Sequence, residues 1–117
     1  MTKAYDDLMT AFAGESQANR RYTVFARQAD KEGYPQVARL FRAAAEGEAV
    51  HAASHFKAAE LIKTTKENLE TAIGGEHYEV TEMYPPMIAD AREENYTAAV
   101  KSFNRAWNVE KVHEALY

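Results

Sequence analysis

Glu48-Ala49-Val50-His51 returns as Glu110-Lys111-Val112-His113, and a Gly-Glu pair stands upstream of each, Gly14-Glu15 before the first and Gly75-Glu76 before the second. Between these landmarks Tyr22 answers to Tyr84, Ala29 to Ala91, Glu32 to Glu94, Tyr34 to Tyr96 and Phe41 to Phe103, at one constant offset of 62. The Gly-Glu pairs lie 61 apart, so a single one-residue slip falls near the start of the copy. Two copies of one helical hairpin are the economical reading. The repeated positions are metal-ligand types, so the repeat bears on function as well as on fold.

Hydrophobic spacing makes each copy a pair of helices. Tyr5, Leu8, Phe12, Glu15, Asn19, Tyr22, Ala26 and Ala29 step by three and four, the period of one helix face. Lys31-Glu32-Gly33-Tyr34-Pro35 then supplies a stop at Gly33 and a proline suited to the first turn of the next helix. The second stripe is Val37, Phe41, Ala44, Glu48, His51, His55, Ala59 and Ile62. Thr64-x-x-Glu67 has the form of a capping box for the third helix, whose stripe is Leu69, Ile73, Glu76, Glu79 or Val80, Met83 and Met87. Pro85-Pro86 removes two backbone donors and predicts a kink there. The fourth helix begins near Tyr96 and carries Ala99, Phe103, Ala106, Glu110, His113 and Tyr117. The expectation is one all-α domain over residues 1–117, with helices at about 3–31, 35–63, 66–93 and 96–117.

Composition narrows the function classes. A chain of 117 residues with 46% hydrophobic content can form one compact domain, yet that length buries a limited share of surface and favours oligomerisation. The net charge of -4, from 14 basic against 18 acidic residues, is no footprint for nucleic acid or an anionic membrane. No apolar run approaches a membrane span, and the start, Met1-Thr2-Lys3-Ala4-Tyr5, is no signal peptide, so a soluble cytoplasmic protein is expected. Zero cysteines exclude disulfides, iron-sulfur clusters, Cys-ligated zinc and thiol nucleophiles.

Each of the four stripes sets at least one glutamate among apolar neighbours and none carries lysine or arginine. Burying isolated carboxylates is costly unless a counter-charge is present, so a metal is the expected source of positive charge. In Glu-x-x-His the i, i+3 spacing puts carboxylate and imidazole on one face, less than a turn apart. One glutamate from each of two helices plus Glu-x-x-His from each of the other two is the signature of a dinuclear carboxylate site. A lone Glu-x-x-His is weak evidence. Two copies, each paired with Gly-Glu on a matching helix, are strong.

The segments Phe12-Ala13-Gly14-Glu15-Ser16-Gln17-Ala18-Asn19-Arg20-Arg21-Tyr22, Ala45-Glu46-Gly47-Glu48-Ala49-Val50-His51-Ala52 and Gly75-Glu76-His77-Tyr78-Glu79-Val80-Thr81-Glu82-Met83-Tyr84-Pro85, completed by Glu110-x-x-His113, resemble the rubrerythrins, ferritin-like di-iron proteins. The match runs nearly end to end. The resemblance implies that Glu15, Glu48, Glu76, Glu79, Glu110, His51 and His113 bind two irons, with Glu48 and Glu110 bridging. It implies peroxide reduction, in which the diferrous site delivers two electrons to hydrogen peroxide and yields water. It also implies that Glu79 and His51 alternate as ligands of one iron, and that the hydroxyls of Tyr22 and Tyr84 sit near the carboxylates, although packing alone is the competing role for both. Many members carry a rubredoxin-like domain with four cysteines. This chain has none, so an outside electron donor such as a separate rubredoxin is expected, with oxidation of ferrous iron by dioxygen, as in ferritins, as the alternative activity.

Without the family, the repeat shows that Glu79 stands where the first copy has Ala18, which gives the site five carboxylates and makes it lopsided. Five negative charges against two ferrous ions leave an excess that becomes a deficit when both are ferric, and a carboxylate binding only the oxidised state would absorb the change. Oxygen-rich ligation with one imidazole per metal suits iron or manganese better than zinc or copper. His55 is expected beside the site and not as a ligand, His77 and Glu46 off the stripe, and Met83, Met87 and Trp107 as core fillers.

In a ferritin-like bundle the second and third helices run parallel, so the chain must return the length of the bundle between them. Three residues, Lys63-Thr64-Thr65, span about 10 Å at most. If the flanking segments are helical, a domain-swapped homodimer follows, each site taking Glu15, Glu48 and His51 from one chain and Glu76, Glu79, Glu110 and His113 from the other. The alternative is that residues near 56 to 70 unwind into a crossover.

Overall fold

The computed structural model of the chain describes residues 2–117, which are helical apart from their turns, with no strand among them. The helices are α1 (Lys3–Lys31), α2 (Pro35–Ala58), α3 (Thr65–Tyr78), α4 (Tyr84–Glu93) and α5 (Thr97–Leu116), with a π-helical segment, Glu79–Met83, joining α3 to α4. They group into two compact units, one ending at Ile62 and the other spanning Lys63–Tyr117, each a helical hairpin. None of the described helices is long and apolar enough to cross a membrane.

In the first unit Thr2 caps α1 by accepting from the Tyr5 amide at 3.1 Å. The helix ends where Gly33 takes φ +82°, and the Tyr34 amide folds back to the Ala29 carbonyl at 2.8 Å before Pro35 opens α2. The second unit repeats this turn bond for bond. Asn95, at the position of Gly33, has φ 56°, and the Tyr96 amide reaches the Ala91 carbonyl at 2.8 Å. Asparagine is among the few residues with a side chain that enter the left-handed region readily, so the turn survives without glycine.

The α1–α2 seam is built from small residues, Ala26, Ala29, Ala38, Ala45 and Ala52, which let the two backbones approach closely. The stripe Val37, Phe41, Glu48, His51 and His55 is the shoulder beside that seam, and Val37 and Ile62 remain exposed. Among the described residues no large side chain is fully buried. A shallow groove beside each turn keeps the repeat: Phe25, Tyr34, Val37 and Phe41 line one, and Met87, Tyr96, Ala99 and Phe103 line the other.

Two departures from the sequence expectation are local. Helix α2 stops at Ala58 and not near residue 63, because Glu60 adopts φ 59° and the Leu61 amide turns back to the Phe56 carbonyl at 3.5 Å. The capping box then forms as expected, Thr64 accepting from the Glu67 amide at 3.2 Å while the Glu67 carboxylate accepts from the Thr64 amide at 3.0 Å. Asn68 adds a clamp on Lys63, accepting from its amide at 3.0 Å and donating to its carbonyl at 3.1 Å. The second departure lies at Pro85-Pro86. These prolines sit in the first turn of α4, and the segment before them is a π turn. That turn is the one-residue slip of the repeat, since Glu15 to Glu76 is 61 residues and Tyr22 to Tyr84 is 62. One inserted residue is absorbed by widening the helix from i→i+4 to i→i+5 bonding, after which the second copy regains its register.

Candidate metal centre

Each unit brings three ligand types together. In the first, Glu15 from α1 meets Glu48 and His51 from α2; in the second, Glu76 from α3 meets Glu110 and His113 from α5. Within each group the ligand atoms all lie within 4.8 Å of one another. Both histidines present Nδ1 to the carboxylates: His51 Nδ1 is 3.3 Å from Glu15 Oε1 and 4.0 Å from Glu48 Oε2, and His113 Nδ1 is 3.5 Å from Glu76 Oε1 and 3.7 Å from Glu110 Oε1. The i, i+3 spacing in Glu-x-x-His therefore delivers what it predicts, because positions three apart on a helix are neighbours.

The carboxylates are about a quarter exposed in the first unit and less in the second, and each group carries an orphan. Glu15 Oε2 and Glu76 Oε2 are buried oxygens without a well-formed hydrogen bond. His55 Nε2 does approach Glu15 Oε2 to 2.8 Å, but off the line of a ring N–H, so the distance alone overstates the bond. Buried anionic oxygens without donors are disfavoured, and two carboxylates with an imidazole nitrogen form a donor set that fits a hard or borderline cation. The residues fit a metal.

Glu79 stands outside the three-ligand cluster of its unit. It is half-buried at the head of the π turn, and the Tyr84 amide closes that turn on the Glu79 carbonyl. Tyr22 packs on Phe25 and Phe41, and Tyr84 on Phe103, with ring centroids 6.0 to 6.4 Å apart. Glu46 is exposed. His77 lies off the cluster as expected, and its Nδ1 sits 2.6 Å from Glu114 Oε1 on α5.

Trp107 does more than fill space. Its Nε1 donates to the Val80 carbonyl at 2.9 Å, across from α5 to the π turn. The signal for this bond was present in Pro85-Pro86, which deprives carbonyls upstream of donors. In the first unit the cross-helix bond runs the other way, from Asn19 Nδ2 to the Ala45 carbonyl at 2.7 Å.

Comparison with known proteins shows the family. The family model described as Rubrerythrin matches residues 6–117. The chain is 38% identical to Rubrerythrin-1 of Clostridium acetobutylicum, over 99% of this chain and 68% of that protein, and 40% identical to a rubrerythrin of Porphyromonas gingivalis, over 99% and 64%. A solved structure titled as the fully reduced, all-ferrous state of nigerythrin aligns over 100% of this chain and 65% of that one, at 35% identity and a TM-score of 0.49. The chain spans about two-thirds of the length of the curated relatives it matches.

Proposed function

The chain belongs to the rubrerythrin family of ferritin-like di-iron proteins, and from that premise we propose that it is a non-haem di-iron peroxidase that reduces hydrogen peroxide to water in defence against oxidative stress. The observation that carries the reading is the pair of Glu/Glu/His clusters, each with an orphaned buried carboxylate oxygen. Glu15, Glu48 and His51 would hold one side of the centre, and Glu76, Glu110 and His113 the other, with Glu48 and Glu110 bridging. Bound iron supplies two electrons, one from each ferrous ion, so that hydrogen peroxide, two electrons and two protons give two waters.

The residues of the chain set the preference for peroxide. Glu79, three residues on from Glu76 and outside the three-ligand cluster, is the proposed carboxylate that engages when the metal charge rises. His51, 60% exposed at its side chain, is the imidazole freest to yield its place. Tyr22 and Tyr84, packed on Phe25, Phe41 and Phe103, are the proposed source of hydroxyls near the carboxylates. Since the described chain holds no cysteine, the electrons come from a rubredoxin-like group outside these residues.

The clusters also bear on assembly. From His51 to the end of α2 is about 10 Å, and from Thr65 to Glu76 about 16 Å, at 1.5 Å per residue. With the second and third helices parallel, as in ferritin-like bundles, a single-chain site needs a return of about 26 Å. Ala58 to Lys63 spans about 17 Å at full extension, and Asn68 fixes Lys63 to the start of α3. The alignment to the Clostridium relative covers 133 residues against 117 in this chain, so that relative carries residues inside the match that this chain lacks. A homodimer that exchanges hairpins removes the need to return.

Stopped-flow mixing of anaerobically loaded, diferrous protein with peroxide and with dioxygen tests the function. Peroxide should react much faster. Equal rates, or faster dioxygen, would replace the peroxidase by an iron-oxidising protein.

A further inference from the structure

We infer that Trp107 is the positioning residue for Glu79: its indole holds the π turn in the register that places the fifth carboxylate. Only the kinetic consequence of this inference rests on the peroxidase reading.

In the first copy, α1 runs unbroken through Ala18 and Asn19, and every interior carbonyl there has a backbone donor four residues on. The second copy contains one more residue, and the π turn Glu79–Met83 takes it up. Within that turn the Tyr84 amide bonds the Glu79 carbonyl, five residues back, and is lost to Val80, four residues back. In the π register the donor for Val80 would be residue 85, and Pro85 has no N–H. The Val80 carbonyl is thus without a backbone partner in this register, at a half-buried position where an unmade hydrogen bond is disfavoured.

Trp107 Nε1 meets that carbonyl at 2.9 Å. It is the sole tryptophan of the chain, and its counterpart in the first copy, where no carbonyl is orphaned, is Ala45. Lys111, one turn along α5, lies with Nζ 3.3 Å from the centroid of the indole and holds the ring in place from its face. Without the indole, the helix gains by returning the Tyr84 amide to Val80. That change of register rotates Glu79 against α4 by roughly 100°, the angle of one helical residue. The carboxylate then leaves the position the π turn gives it.

Two measurements on the full chain decide the matter. In metal-free protein, Trp107→Phe keeps an aromatic ring and removes only the N–H. Amide hydrogen exchange over residues 79–84 should quicken about ten-fold, the equivalent of one hydrogen bond, as the two registers compete. The amides of the Asn95 turn should not change. Exchange unchanged over 79–84, or quickened equally at both places, would overturn the inference. In diferrous protein, Trp107→Phe should lower the ratio of peroxide to dioxygen rates about ten-fold, the smaller effect typical of groups that orient metal ligands. Adding it to Glu79→Ala should lower the ratio no further, because both act through one carboxylate. A fall with Glu79→Ala and none with Trp107→Phe counts against Trp107. No fall with Glu79→Ala removes the peroxidase reading instead, and hydrogen exchange alone then decides the role of Trp107.

Discussion

His55 Nε2 lies 2.8 Å from Glu15 Oε2, whereas the residue 62 positions on, Tyr117, stacks on His113 with ring centroids 6.2 Å apart. The two copies of the repeat therefore differ immediately behind the ligands. In the first unit a polar ring backs the carboxylate that α1 contributes; in the second an aromatic ring backs the imidazole of α5, and Glu76 Oε2 has no such neighbour.

The expected consequence is unequal metal binding by the two clusters. His55→Phe should weaken the uptake of one ion about ten-fold, since residues that orient ligands typically contribute ten- to hundred-fold to affinity. Tyr117→Phe should leave both affinities as they are. Competition titrations with cobalt(II), analysed for two binding steps, provide the measurement. Identical isotherms for His55→Phe and the unaltered protein would show that His55 only fills space.

Removal of ligands should follow the clusters. Glu48→Ala or Glu110→Ala withdraws a proposed metal ligand and should abolish stoichiometric loading, from about two ions per site. Glu46→Ala, at an exposed position two residues from Glu48, should bind as before. Elemental analysis of each variant after anaerobic loading with ferrous iron reads the result. Full loading of Glu48→Ala would dismiss the assigned ligand set.

Glu79 has a different expected signature. Glu79→Ala should retain both ions, because Glu15, Glu48, Glu76, Glu110, His51 and His113 all remain. The reaction of its diferrous form with peroxide should nevertheless slow about ten-fold or more. Loss of metal in this variant would make Glu79 a permanent ligand and remove the case for a redox-linked one.

Much of this was legible in the sequence because it depends on spacing. Glu48 and His51, like Glu110 and His113, stand at i, i+3, and helix geometry alone sets each pair side by side. Gly33 and Pro35 marked one turn by the same logic. What escaped reading depends on hydrogen bonds that cross helices or choose between registers. The 61-to-62 slip was visible, but only the amide of Tyr84 bonding Glu79 reveals that a π turn absorbs it. Trp107 looked like a core residue until its indole was found on the Val80 carbonyl. The apolar stripe through Ala59 and Ile62 promised helix to residue 63, and a left-handed Glu60 cut it short. A glutamate in that conformation carries no sequence signal comparable to glycine.

The start of α3 should respond to acid. The Thr64 backbone amide, and then its hydroxyl, donates to Glu67 and lowers the pKa of that carboxyl below the usual 4.5. A carboxyl lowered in the folded state stabilises the fold above its unfolded pKa, and the contribution disappears as pH falls through the lowered folded value. Glu67 is fully exposed, so the effect is small. Melting curves of the unaltered protein and Glu67→Gln should differ at pH 7 and converge once the pH has fallen below the lowered folded pKa. A gap that persists in acid would mean that the cap works through geometry alone.

Exchange of hairpins can be tested by complementation. Glu48→Ala damages the first unit and leaves Glu76, Glu110 and His113 intact; Glu110→Ala does the reverse. If each chain builds its own centre, every centre in a mixture of the two variants contains a damaged half, and none should load. If hairpins are exchanged in a dimer, a mixed dimer combines the sound first unit of one chain with the sound second unit of the other. One of its two centres is then whole and the other doubly damaged. Unfolding and refolding an equimolar mixture should give about half mixed dimers by random pairing. Roughly a quarter of the iron bound by the unaltered protein should therefore return, and with it peroxide reactivity in the same proportion. Each variant refolded alone should recover neither. A mixture that stays empty, while the unaltered protein refolds and reloads under the same conditions, would show that both halves of a centre come from one chain.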